Sequence, residues 1–183
     1  DANAIFTSST TISESDTSFE GKDVLIDGTL VAINGVHSFN SVHLVHGAVL
    51  THSADTTTQT HKLDVTVAVQ VIVDATSRID VSRKGYLAGR TTGNVVGALV
   101  AGSHGGRGGN GLPVYDDYAH PQDWGSGGGL DSGGGFVSIT AATLTLNGQI
   151  NANGSGDSAG GGVYIAVSTL TGTGGISANG ATP

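Results

Sequence analysis

Apolar residues in this chain alternate with polar ones or fall in short clusters. No long stretch keeps the i, i+3, i+4, i+7 spacing of an amphipathic helix. From Leu63 to Val73 the sequence reads Leu-Asp-Val-Thr-Val-Ala-Val-Gln-Val-Ile-Val, the pattern of a strand buried on one face. Val24-Leu25-Ile26 runs through Asp27-Gly28 into Thr29-Leu30-Val31, and Val42 to Val45 runs through His46-Gly47 into Ala48-Val49-Leu50. Short strands joined by small turn residues predict an all-β protein.

Repeats indicate how the strands stack. The strand–Gly–strand unit centred on Gly28 recurs around Gly47. Thr143-Leu144-Thr145 returns as Thr169-Leu170-Thr171, and Ile150 to Gly154 returns at the same interval as Ile176 to Gly180. Gly133-Gly134-Gly135 is echoed one position later than that interval, by Gly160-Gly161-Gly162, and Ile79-Asp80-Val81-Ser82 is a weaker third copy. A period of about 20 to 27 residues, built from short strands, predicts a β-solenoid whose coils bury their apolar residues only when stacked. Asn-Gly pairs at 34–35, 110–111, 147–148, 153–154 and 179–180 are read as corners where glycine takes positive φ. An antiparallel sandwich with Asn-Gly hairpins is the alternative.

The preferred architecture is a single-stranded parallel β-helix, right-handed, with a glycine-rich lateral insert and about seven coils. One domain covers 1–183: N-terminal coils over 1–85, the insert over 86–132, and glycine-rich C-terminal coils over 133–183. Val24, Ile26, Leu30, Leu44, Val49 and Val69 are expected to face inward, as are Val71, Ile79, Leu144, Ile150, Ile165, Leu170 and Ile176. A slip by a single position in any strand would exchange its two faces.

Composition sharpens this picture in the middle of the chain. The stretch from Gly85 to Gly135 breaks the period and holds 17 of the 31 glycines, two of the three prolines, three of the four tyrosines and the only tryptophan. A loop this long inside a compact domain is often functional. Fifteen acids against seven Lys plus Arg give a formal charge of −8, which repels nucleic acid and anionic membrane surfaces. No apolar run approaches the length of a membrane helix, so neither nucleic acid nor membrane insertion is expected. The absence of Cys excludes disulfides and thiolate metal sites.

The run Gly-Gly-Gly followed by a β tetrad, then Thr-Leu-Thr-Gly-Thr-Gly-Gly-Ile-Ser-Ala-Asn-Gly (169–180), resembles glycine-rich coils of parallel β-helix modules in secreted and cell-surface bacterial proteins, adhesins among them. The stretch Gly102-Ser-His-Gly-Gly-Arg-Gly-Gly109, with Tyr115, Pro121 and Gly125-Ser-Gly-Gly-Gly129, resembles the inserts such proteins carry between coils. The resemblance covers approximately 71–180 of the chain. It implies an extracellular, non-catalytic module of a larger assembly. The stretch before it departs from this pattern, being poor in glycine and rich in histidine.

Candidate chemistry gathers in the insert. Tyr115, Tyr118 and Trp124, beside Asp123 and Arg107, suit a sugar-binding platform: pyranose CH groups pack on rings while hydroxyls bond to carboxylates. The competing reading is that the aromatics pin the insert to the column. Asp116, Asp117 and Asp131 supply the hard oxygen ligands that calcium takes, although no EF-hand loop or calcium nonapeptide is present. Five histidines between His37 and His61 match no local metal-ligand spacing and are expected to face outward. The string Gly106-Arg-Gly-Gly-Asn-Gly111 fits G-x-G-x-x-G but lacks a following helix. Acid pairs among Asp116, Asp117 and Asp123 leave a polysaccharide hydrolase or lyase as the least favoured reading.

These features favour a structural or adhesive extracellular module without catalysis, self-associating or stacked on neighbouring domains, with fibre or surface-layer assembly as one form. Carbohydrate binding through the insert is the rival, and calcium is the one cofactor the residues suggest.

Overall fold

The computed structural model describes residues 4–97, 103–106 and 113–180. Two parallel six-stranded sheets are wound from alternating strands. The first holds β1 (Ala4–Phe6), β3 (Asp23–Asp27), β5 (Gly35–Val45), β7 (Leu63–Val73), β11 (Phe136–Leu146) and β13 (Gly162–Thr171) in chain order. The second holds β2 (Thr10–Ile12), β4 (Leu30–Ile33), β6 (Val49–Thr51), β8 (Arg78–Asp80), β12 (Gln149–Asn151) and β14 (Gly175–Ser177). Each consecutive pair makes one rung, and six rungs rather than seven stack among the described residues. Among the described residues only β9 (Arg90–Thr91) and β10 (Val95–Val96), inside the insert, pair antiparallel as strands. The chain is a parallel β-solenoid.

The sequence echoes are the pairing register. Thr143 pairs with Thr169 and Ile150 with Ile176, as the repeated strings align them. The glycine run follows the same offset, because Phe136 pairs with Gly162, so aligning Gly133 with Gly160 is a slip by one. Ile79 pairs with Ile150 across the whole insert, which therefore leaves the column at one rung and rejoins it at the next.

Inward side chains form continuous files. Val31, Leu50, Ile79 and Ile150 stand in register and are fully buried, as are Ile26, Leu44 and Val73. Leu30 and Val49 are one place off: the strands seat Val31 and Leu50 inside, leaving Leu30 exposed and Val49 half-buried. Val69 also faces out. Phe39 and Val67 are paired, as are Ser41 and Gln70, so β7 carries an extra residue at a bulge. The strand bends there, and both Val67 and Val71 remain inside.

Glycine serves two purposes in the turns. Gly28, Gly35 and Gly47 take positive φ, as the turn reading requires. Gly148 and Gly154 do not. A Cβ on Gly148 would collide with the Ser77 carbonyl oxygen, and one on Gly154 with that of Ala159, so those positions need close backbone approach.

The two ends differ. At the first rung Ala4, Phe6 and Ile12 are buried, with Phe19 from the following turn packed against Phe6 at 5.2 Å between ring centroids. At the last rung Leu170 is 55% and Ile176 46% exposed, whereas Leu144 and Ile150 beneath them are at 0%. Ile165 is half-buried there. These three keep the inward register, but no described strand covers them.

Candidate functional site

The connections from the second sheet back to the first lie along one side of the column, and the insert is the longest of them. Its glycine segments bond backbone to backbone: Gly85 N–H to Gly133 O, Tyr86 N–H to Gly125 O, Gly133 N–H to Tyr86 O and Gly134 N–H to Ala159 O. A Cβ on Gly125 would collide with the Gly160 carbonyl oxygen, so only glycine allows this layering.

Trp124 lies where the insert meets the column, half-buried between Tyr86 (5.9 Å) and Phe136 (6.1 Å). Its indole N–H donates to the His61 carbonyl at 2.6 Å. Tyr115 donates its hydroxyl to the Trp124 carbonyl at 2.6 Å and packs against His104. Asp123 accepts from the Tyr86 hydroxyl, the Thr92 hydroxyl and the backbone N–H of Trp124. Burial, reinforced by Asp123, pushes both the Tyr86 and Tyr115 phenols well above the usual tyrosine range. Tyr118 is 90% exposed and joins none of this. Arg107 lies outside the described residues.

The acids expected to supply calcium ligands each take hydrogen bonds within the protein. Asp116 accepts from the backbone N–H groups of Asp117, Gln122 and Asp123, and from His104 Nε2 at 2.9 Å. Burial raises its pKa, but those bonds outweigh it and hold the carboxyl below the usual range. The other His104 nitrogen, Nδ1, faces the Gly160 carbonyl oxygen at 2.9 Å. Asp117 accepts from Ala119 N–H, and Asp131 accepts from the Ser155 hydroxyl and faces Arg83 at 3.5 Å. Among the described residues no three His, Asp or Glu side chains gather as a metal site.

Two of the five clustered histidines are internal, contrary to the outward expectation. His37 stacks on Phe39 and binds Glu20 and the Asn34 carbonyl through its two nitrogens. His52 donates through Nδ1 to the Ser53 carbonyl and accepts the Phe136 N–H at Nε2, and burial pushes its pKa down to about 4. Nearby Asp55 is buried with one oxygen accepting from His61 N–H and the other without a partner. Burial pushes this carboxyl up to about 7, with the Asp123 charge adding to the effect.

A groove beside the insert uses residues that the sequence did not bring together. Lys62, Asp64, Phe136, Ser138 and Tyr164 from the first sheet, with 120–122 of the insert, line a groove of about 390 Å³. The repeat register places Tyr164 opposite Ser138 on the outward face of the sheet, a large ring where its partner carries a hydroxymethyl. That contrast was the available signal. Comparison with family models, curated proteins and solved structures gives no match, so the chain is placed by its fold alone.

Proposed function

We propose that the chain is a non-catalytic structural module that extends a β-solenoid column by joining rungs at its C-terminal end. The exposure of Leu170 and Ile176, against full burial of Leu144 and Ile150 one rung below, carries this reading. An apolar file interrupted at its last member loses the burial that stabilises every earlier one. No described strand pairs with the outer edges of β13 and β14, and open parallel edges invite strand addition. At the opposite end the apolar residues Ala4, Phe6 and Ile12 are buried and Phe19 packs on Phe6, so the reading pairs like ends: a second copy docks tail to tail in a closed, isologous contact. Few charged residues and a small-side-chain surface fit the extracellular setting that the resemblance implies, and that placement belongs to the same proposal.

Sedimentation equilibrium of the 183-residue protein tests it. A concentration-dependent dimer is expected, abolished by Leu170→Asp with Ile176→Asp while the melting temperature of the dilute protein holds. A monomer at every concentration, or an open-ended polymer, would overturn the tail-to-tail contact.

A further inference from the structure

We propose that the groove between the first sheet and the insert arm 120–122 is a binding site for a neutral sugar ring. Its floor is the outward face of β7, β11 and β13, where Asp64, Ser138 and Tyr164 stand in register. His120 lies 6.1 Å from Tyr164 between ring centroids, so insert and sheet meet across it. A volume of about 390 Å³ lies within the range of small-molecule sites, towards its lower end.

The lining selects the ligand class. Lys62 is met by Asp64 at 2.8 Å, so the two charges cancel locally and an anion gains little. Among the described residues, the Ser138 hydroxyl, the Tyr164 phenol and the Gln122 carboxamide have no hydrogen-bond partner in the protein. These groups both donate and accept, as do the hydroxyls of a pyranose. A purely apolar ligand would leave them unpaired, at a cost. The Tyr164 ring, with Phe136 beside it in the lining, offers an apolar surface to sugar CH groups. Trp124, Tyr115 and Asp123 do not line this groove; Trp124 packs behind Phe136 and supports it.

Calorimetric titration of the intact protein provides the test, using neutral trisaccharides of glucose, galactose, mannose and N-acetylglucosamine, with a galacturonate trimer as an anionic counter-probe. At least one neutral trisaccharide should bind. Tyr164→Ala should weaken it at least about tenfold, and Gln122→Ala should weaken it less. Tyr164→Phe, which keeps the ring, should retain most of the affinity, and Tyr118→Ala all of it. Because Tyr164 faces outward, the Leu170→Asp, Ile176→Asp protein should bind equally well, separating this result from the assembly test. No binding at millimolar sugar, preference for galacturonate, or indifference to Tyr164→Ala would overturn the proposal.

Discussion

Asp55 and His52 sit close together in the 52–62 connection, and burial drives their titrations in opposite directions. The Asp55 carboxyl keeps its proton up to about pH 7 in the fold but releases it near 3.8 when unfolded. Its contribution is present at low pH and is lost as pH rises through 7. His52 protonates near 6.5 when unfolded but only at about 4 in the fold, so acidification between those values removes stability. The two slopes oppose one another over a shared window. Asp55→Asn removes one of them, so the variant should gain on its parent by roughly 2–3 kcal/mol between pH 5 and pH 8. Denaturant melts at the two pH values measure this, and a difference that stays constant would show that Asp55 titrates normally. Sequence reading could not see these residues as internal. A histidine among alternating polar positions looks outward until the backbone carbonyls and the Phe136 N–H around it are placed.

At the scale of elements, the strands were legible and their faces mostly so, because a period of two survives in the sequence wherever one face is buried. The exceptions are local. Leu30-Val31 and Val49-Leu50 are apolar pairs, so composition does not say which member turns in. The bulge that expels Val69 lies in β7, which carries one residue more than both partner strands between Val67 and Gln70, and an unbroken alternating string does not mark it. The insert was legible as an excursion, since glycine crowding marks close backbone contact, but its partners were not: Trp124 bonds to His61, far back in the sequence. Trp124→Ala removes that bond and the packing on Tyr86 and Phe136, and should cost about 3 kcal/mol. A thermal melt reads the loss directly. A variant that melts with its parent would return the indole to the role of a solvent-facing platform.

For the molecule as a whole, a repeating sequence shows a column but not where the column is covered. Leu170 and Ile176 carry the same residue types as Leu144 and Ile150, and only the missing neighbour makes them exposed. The interruption at the insert has its own consequence. Elsewhere a rung pairs with the next coil of chain, as Asp23 does with Ser41, but β7 and β11 join positions as distant as Leu63 and Val137. Among the described residues the stretch between β8 and β11 adds no strand to either six-stranded sheet. Covalent continuity there is a tether rather than a requirement. Two fragments, cut at the exposed Tyr118, should therefore behave as separable halves of one architecture. Co-expressed as 1–118 and 119–183, they should recover each other through the β7–β11 seam and the Trp124–His61 bond, and purify as a stoichiometric complex with the parent's circular dichroism. Fragments that fail to co-purify would show that the seam forms only when the chain holds its two sides together, and that folding crosses the insert before either half is stable.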